Sequence, residues 1–512
     1  MTSAAASDNY GYHKAKIWQI GFFALNNTTT NMYLFALAFV SYYATGIAGL
    51  TVVAISTILT FMRVFDGITD PVIGFIIDKT ESKFGKFRPL MIIGNIILAS
   101  SLLIMYNVTH LLPEASQMLF FIAIYAVYII GYTFQTACTK AAQTALTNDP
   151  KQRPLFAVFD GVFNTVLFAG GQVFVASYLV AKHGGFTMGM FTELNTYVIV
   201  LGLIFTGMAV AGIWAKDRKE FFGLADLNVK TGFRDYWPIL KGNRPLQMLI
   251  IAASSDKLTL SVLRHAVVMV MLFGILLGDY ELSGTISMII IIPTLVITFA
   301  GVAYARKRDL KKSFIASTWI GLAAFGILIA LLFAIDPTTI SLDNLGFATI
   351  AFIVLYTLGM GFGSLPSALV IPMIADVSDY ETYKSGRYVP GMIGTLFSFV
   401  DKMISSLAPA LVGFAVALIG YKDTFPEIGS ALTASMYGMT ILLAFGVPVL
   451  GWIISLIAMK FYYLDSEKMA GIQKSIGDVK EKAENERLRV ARQPVEQMDK
   501  SGDSLNPIPS SK

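Results

Sequence analysis

Apolar residues run along this chain in long unbroken stretches, without the alternation of a half-buried strand or the narrow stripe of a surface helix. Residues 92–106, 118–132 and 288–303 carry no charged side chain at all. A bilayer crossing takes roughly 20 residues of apolar helix. On that measure the sequence predicts about twelve spans, near 18–45, 50–76, 89–109, 117–139, 154–182, 191–215, 246–277, 283–305, 313–335, 346–373, 390–420 and 431–462. Strands of a membrane barrel would alternate apolar and polar positions over about ten residues. Continuous runs exclude them, and the expectation is an all-α membrane protein of twelve transmembrane helices.

Composition supports this reading. The 512 residues are 55% hydrophobic and 14% charged, with mean hydropathy +0.63, too little charge to cover a water-facing surface of that length. A net charge of +5 does not point to nucleic acid, because the basic residues sit at the ends of apolar runs. Cys138 is the only cysteine and the four histidines show no ligand spacing, so neither a disulfide framework nor a metalloenzyme site is expected. Residues 1–11 lack the basic start and short apolar core of a signal peptide.

The longest hydrophilic connection, 216–244, falls between spans six and seven. The expected division is a six-helix bundle at 1–215, a central loop at 216–245, a second bundle at 246–464 and a tail at 465–512, the tail read as a surface helix followed by a Ser/Pro-rich disordered end. Alternate hairpins carry the positive charge: Lys79, Lys83, Lys86 and Arg88; Lys151 and Arg153; Arg306, Lys307, Arg308, Lys311 and Lys312; Lys384 and Arg387. The others carry only Lys182 and Lys422, with several acids. Positive loops stay inside, so both termini and the central loop are expected on the cytoplasmic side of the cell (plasma) membrane.

Charged groups within the spans are the candidate chemistry, because each costs roughly 2.5–3.5 kcal/mol at mid-bilayer. Arg63, Asp66 and Asp70 lie at i, i+3 and i+7, on one helix face. Two acids with one arginine leave a net negative pocket, suited as hard oxygen ligands to Na⁺ or Li⁺ or able to take a proton; the alternative is a structural ion-pair cluster. Lys402 in span eleven either reaches those acids from the other bundle or pairs with its neighbour Asp401. Further polar groups at membrane depth are 26–31 (NNTTTN), Thr133, Gln135, Thr136 and Lys140, Asp160 and Asn164, and, in span seven, Ser254, Ser255, Asp256, Lys257, Arg264 and His265. As a set they describe a hydrated cavity for a polyhydroxylated solute, with Tyr128, Tyr132 and Phe134 available to stack on a sugar face. Singly, each fits the role of a hydrogen bond between helices. Packing alone accounts for Gly170, Gly171, Gly361 and Gly363.

Residues 63–89, RVFDGITDPVIGFIIDKTESKFGKFRP, and 375–402, ADVSDYETYKSGRYVPGMIGTLFSFVDK, closely resemble the glycoside–pentoside–hexuronide:cation symporter family, and the likeness runs from span one to span twelve. The resemblance implies a major facilitator fold and symport of a sugar with Na⁺, Li⁺ or H⁺. It implies that Asp66 and Asp70 are the paired cation-binding acids, with Thr133 as the supporting hydroxyl. Lys402 is then the lysine between cation and sugar sites. Gly74, Asp78, Lys83, Gly85, Lys86 and Arg88 match the loop that locks the two halves in the outward-facing state. The sugar site departs from the family's pattern. Thr30 and Thr136 stand where acids are expected, Lys140 where an aromatic is, and Asp160 where an arginine is. Candidate solute-binding residues are therefore Thr30, Asn31, Thr136, Lys140, Asp160 and Lys402, without transfer of a particular sugar. The rival within transport is a non-sugar solute, an organic anion or a lysolipid. A solute-binding sensor is the rival outside it. No P-loop, metalloprotease or nucleophile-elbow motif occurs, which argues against an enzyme. Apart from the coupling cation no cofactor is expected; the partners are a small solute and the bilayer, and the fold needs no second copy, so a monomer is expected.

Overall fold

The computed structural model describes residues 13–80, 82–147, 149, 152–218, 236–343, 345–385 and 390–475, and these are almost wholly helical. The first part of the chain forms α1 (Ile17–Leu37), a short α2 (Val40–Gly46), α3 (Val52–Lys79), α4 (Phe87–Val108) and α5 (Glu114–Leu146). It continues with α6 (Arg153–Val173), extended by a π-helical stretch into α7 (Ala181–His183), and with α8 (Met188–Ile213). After α9 (Tyr236–Gly242) come α10 (Arg244–Leu263), α11 (Ala266–Met269), α12 (Glu281–Lys307) and α13 (Leu310–Ala334). Then follow α14 (Phe347–Ser385), α15 (Pro390–Ser405), α16 (Ala408–Leu418), α17 (Ala434–Ile441) and α18 (Val447–Phe461). Most of the expected central loop (219–235) and tail (476–512) lies outside the described residues.

Among the described residues, eleven helical stretches are long and apolar enough to cross a bilayer. The expected first span is two helices, α1 of 21 residues and the short α2 after a turn at 38–39; within α1, Asn26, Thr28, Thr29 and Thr30 are buried and Asn27 and Asn31 partly so. Asn26 Nδ2 donates to Thr139 Oγ1 at 2.8 Å, and Asn31 Nδ2 to Asn164 Oδ1 at 2.9 Å. In three further places the helices differ from the predicted spans. Span seven breaks at Arg264 and His265, where His265 is extended (φ −65°, ψ 134°) and its Nδ1 accepts from Val267 N at 3.3 Å. Span ten runs on to Ser385 as one helix of 39 residues, holding Pro366 and Pro372 inside it. Span eleven breaks before α16, where Pro409 has no N–H to continue the ladder.

α1 packs on α8, α6 and α5, α4 on α5 and α8, and α3 on α5. α10 packs on α18, α15 and α14, and α14 also on α13 and α12. The two groups meet where α3 lies against α15 and α16, and α6 against α12. Glycines permit the closest approaches. A Cβ at Gly359 would stand 2.0 Å from the Phe325 ring, one at Gly363 2.2 Å from Trp452, and one at Gly413 1.8 Å from Ser56 Oγ. Outward, α12 presents Ile292, Val296 and Phe299, all exposed and stacked along one side, the surface a lipid-facing helix needs.

At the end away from the termini the two groups close on each other. Tyr42 stacks on Phe186 with ring centroids 4.2 Å apart, and its hydroxyl donates to the Pro426 carbonyl at 3.2 Å. Phe186 meets Tyr280 edge-on at 6.0 Å, Gln172 Nε2 donates to Ser283 Oγ at 3.1 Å, and Val52 N to the Lys422 carbonyl at 2.9 Å. At the opposite end a helix over 466–475 docks on the hairpin before α13 and on α14. Ser466 N donates to Asp309 Oδ2 at 3.1 Å and Gln473 Nε2 to Asp379 Oδ2 at 2.5 Å. Burial works to raise the Asp309 pKa, but amide donors from Lys312 and Ser466 and the Lys312 charge outweigh it and hold the carboxyl below its ordinary value.

Gly326, on the same bundle, has nothing within 4 Å of its virtual Cβ. Overpacking costs about 1–3 kcal/mol, so Gly359→Ala is expected to lower the apparent Tm of detergent-purified protein by several degrees while Gly326→Ala leaves it unchanged or raises it. Equal melting of the two variants would show that the Phe325 contact is not tight.

Candidate functional site

Placing two acids one turn apart within an apolar helix commits the surrounding helices to satisfying them. On α3, Asp66 is buried and Asp70 half-buried. The Thr133 hydroxyl of α5 lies 3.2 Å from Asp66 Oδ1, 3.0 Å from the Ile129 carbonyl and 3.0 Å from the Thr69 hydroxyl, so its single proton is shared among these acceptors. Thr69 in turn donates to the Asp66 carbonyl at 3.0 Å. From α15, Lys402 forms ion pairs with Asp70 and, at 3.4 Å, with Asp66 Oδ2. The neighbouring Asp401 is engaged elsewhere, in an ion pair with Lys257 of α10. Adjacent helical residues point apart, which is how α15 sends its acid to one neighbour and its lysine to another.

The result is two carboxylates, Asp66 and Asp70, that receive an ammonium group from the other half, with the hydroxyls of Thr133 and Thr69 on Asp66 and on each other. Hard oxygens of this kind suit a monovalent cation or a proton. No cluster of three or more His, Cys, Asp or Glu residues suited to a metal ion occurs among the described residues. Thr69 was not singled out from the sequence; its position at i+3 from Asp66 was the available signal. Arg63, one turn from Asp66, makes no ion pair among the described residues and instead faces a cavity.

That cavity, of about 870 Å³, lies between the two groups of helices beneath Tyr280 and Phe39 of the closed end. Arg63 and Tyr125 contribute from one side, Asp160 and Asn164 from α6, and Arg264 and His265 from the break after α10. Of the candidate solute residues Asp160 is on its wall, and Asn31 reaches it through its bond to Asn164. Thr30 is fully buried, donating to the Asn26 carbonyl at 2.9 Å. Thr136 donates to the Thr133 carbonyl at 3.2 Å, Lys140 is exposed, and neither lines the cavity. The expected aromatic wall is corrected by one turn: Tyr128 is buried in the core, and Tyr125 faces the cavity.

The loop motif has a partner that sequence reading missed. Asp217, just past α8, accepts from the backbone N–H groups of Lys86, Phe87 and Arg88 and from Arg88 Nε, at 2.9–3.2 Å. Arg88 also stacks over Trp214 at 4.4 Å. Gly85 is required twice, by its φ of 99° and because a Cβ would lie 2.1 Å from Asp217 Oδ2. Lys83 is exposed, Gly74 lies within α3, and the Asp78 side chain lies outside the described residues. The described contacts of the loop thus stay within the first helical group.

The architecture is that of major facilitator transporters. It superposes on the nucleoside transporter NupG (TM-score 0.56, 11% identity, covering 88% of this chain and 99% of that one) and on a bacterial homologue of the iron transporter ferroportin in an inward-facing state (TM-score 0.58, 11% identity, 87% and 99%). Residues 20–466 match the MFS/sugar transport proteins, and the chain belongs to that family, in keeping with the glycoside–pentoside–hexuronide:cation symporter resemblance. Among its relatives are the uncharacterised symporter YnaJ of Bacillus subtilis strain 168 (26% identity, 85% of this chain and 89% of the relative), a glucuronide carrier protein homologue of Escherichia coli K12 (24%, 75% and 80%) and an isoprimeverose transporter of Lactiplantibacillus pentosus (23%, 83% and 84%). Sugar:cation symport through a membrane is the activity of this class.

Four charge-assisted bonds to one carboxylate predict that Asp217→Ala frees the loop without unfolding the bundle. Hydrogen exchange of the 82–88 amides in the detergent-solubilised protein should quicken by roughly tenfold or more, with the amides of α5 unchanged. Unaltered exchange would mean that Asp217 does not anchor the loop.

Proposed function

We propose that this protein carries a sugar across the plasma membrane together with Na⁺, Li⁺ or H⁺, by rocking of two six-helix bundles, 1–215 and 246–464, about a site between them. The observation that carries the reading is Lys402, supplied by one bundle and seated on Asp66 and Asp70 of the other. A cation held by Asp66, Asp70 and Thr133, with Thr69 beside them, competes with that ammonium. Its arrival releases Lys402, and Arg63 and Lys402 then report cation occupancy to the cavity. Solute and cation must raise each other's affinity equally. One charge crossing 100 mV supplies about 2.3 kcal/mol, roughly fifty-fold accumulation.

The distribution of Lys and Arg supports cytoplasmic termini, which makes the end closed by Tyr42 and Phe186 the extracellular one. The loop of Gly74, Asp78, Lys83, Gly85, Lys86 and Arg88 then acts on the cytoplasmic side, locking the alternative state by contacts that form when that side closes. Segment 216–245 links the bundles, and the tail from 465 begins as the docked helix at 466–475. The protein functions as a monomer, returns its solute chemically unchanged, and needs nothing beyond the coupling cation.

In energised vesicles, Asp70→Asn should abolish cation-driven accumulation of labelled sugar while sparing most cation-independent exchange. Accumulation at the native level in Asp70→Asn would remove these acids from the coupling site.

A further inference from the structure

Where α1 begins and α8 ends, away from the central cavity, the first bundle opens into a surface pocket of about 680 Å³. Lys14, Lys16 and Lys216 line it together with Trp18 and Trp214, and no carboxylate among the described residues belongs to the lining. Of the acids nearby, Asp149 stands 3.7 Å from Lys14 and offsets one lysine, and Asp217 is occupied by Arg88 and by amides at the start of α4. Lys16 is exposed and makes no ion pair among the described residues.

The pocket has the make-up of a membrane surface. Trp18 and Trp214 are both exposed, and tryptophan settles at the boundary of lipid and water, where its ring is apolar and its N–H is wet. Lysine reaches the same level with its stem on apolar surface and its ammonium among the headgroups. From the pocket toward the middle of the bundle, α8 turns one exposed track outward: Trp214, Ala211, Gly207, Ile204 and Val200 recur every three or four residues and so share a helix face. A Cβ on Gly207 would meet nothing within 4 Å, which notches the track midway. On the adjoining face a Cβ on Gly212 would stand 2.8 Å from the Gln19 carbonyl, so α1 and α8 meet backbone to backbone and make a firm floor for the pocket.

We propose that this pocket holds the headgroup of an anionic phospholipid, with the phosphodiester among Lys14, Lys16 and Lys216 and an acyl chain laid along α8 from Trp214 past Gly207 to Ile204. Ammonium groups serve a phosphate as point charges, and basic pockets at the cytoplasmic ends of spans are suited to such headgroups. On the sidedness proposed above, this one meets the inner leaflet. A zwitterionic lipid carries the same phosphodiester but brings an ammonium of its own, for which the described lining has no carboxylate. A free phosphate would use the lysines and leave the track bare, so the combination of charge and track selects the lipid. Trp214 also carries Arg88 over its ring at 4.4 Å, which sets the bound lipid against the corner that Asp217 clasps.

The full chain, purified in detergent, is titrated with phosphatidylglycerol and with phosphatidylcholine of the same acyl chains, and the adducts are counted by native mass spectrometry. The first phosphatidylglycerol should bind roughly ten- to hundredfold more tightly than the first phosphatidylcholine. Lys16→Gln, at an exposed side chain, should cut that ratio about fivefold. Lys14→Gln, Lys16→Gln and Lys216→Gln combined should bring it close to parity, and Lys307→Gln with Lys311→Gln, at the same end of the second bundle, should leave it unchanged. Because the ratio is read on folded protein within one preparation, partial loss of protein does not mimic the effect. Equal binding of the two lipids would reduce the lysines to ordinary surface charge and overturn the inference. A preference that survives the triple variant would place the lipid elsewhere and overturn it too. Displacement of the bound phosphatidylglycerol by soluble glycerol phosphate would make this a site for a free phosphate instead. None of these readouts involves transport, so the symport reading stands or falls separately.

Discussion

Everything at the centre of this protein follows from the cost of keeping charge in a place where water is scarce. Asp66 and Asp70 are tolerated on α3 because an ammonium meets both and the Thr133 hydroxyl meets Asp66. The ammonium comes from α15, so the two halves of the molecule are joined by an electrostatic bond whose strength depends on what else occupies the acids. A bond of that kind is conditional by nature. An ion pair holds while both partners are charged and weakens when one of them is neutralised.

Much of this was legible in the chain. The long apolar runs marked the spans, and the expense of intramembrane charge drew attention to Arg63, Asp66, Asp70 and Lys402 before any geometry was known. What the sequence could not show was rotation about a helix axis. Tyr125 and Tyr128 are both aromatic, three residues apart on one helix, and only packing decides that the first faces the cavity and the second the core. Thr30 and Thr136 likewise spend their hydroxyls on their own helices. The break at Arg264 carries no proline or glycine to announce it, so the one place where span seven opens its backbone passed as continuous helix. Asp217 was invisible for a different reason. It sits in a hydrophilic stretch among many charges, and its importance lies in backbone amides 130 residues earlier in the chain.

The glycines show how little room the helices leave. At Gly359, Gly363 and Gly413 neighbouring side chains occupy the space a methyl group would need, and interiors packed this way shift between discrete arrangements rather than deform smoothly. Near the closed end, aromatic rings supplied by both halves and a few hydrogen bonds make a contact broad enough to seal and modest enough to reopen.

The carboxylate of Asp217 changes how the hairpin between α3 and α4 must be pictured. Because it clasps the start of α4 through main-chain groups, most side-chain swaps in the hairpin would leave those bonds in place, and Gly85, against which the carboxylate lies, is the exception. The hairpin and the end of α8 therefore behave as a single stiff corner. The clasp thereby joins the end of α8 to the start of α4, and through the hairpin to α3, the helix that carries Asp66 and Asp70.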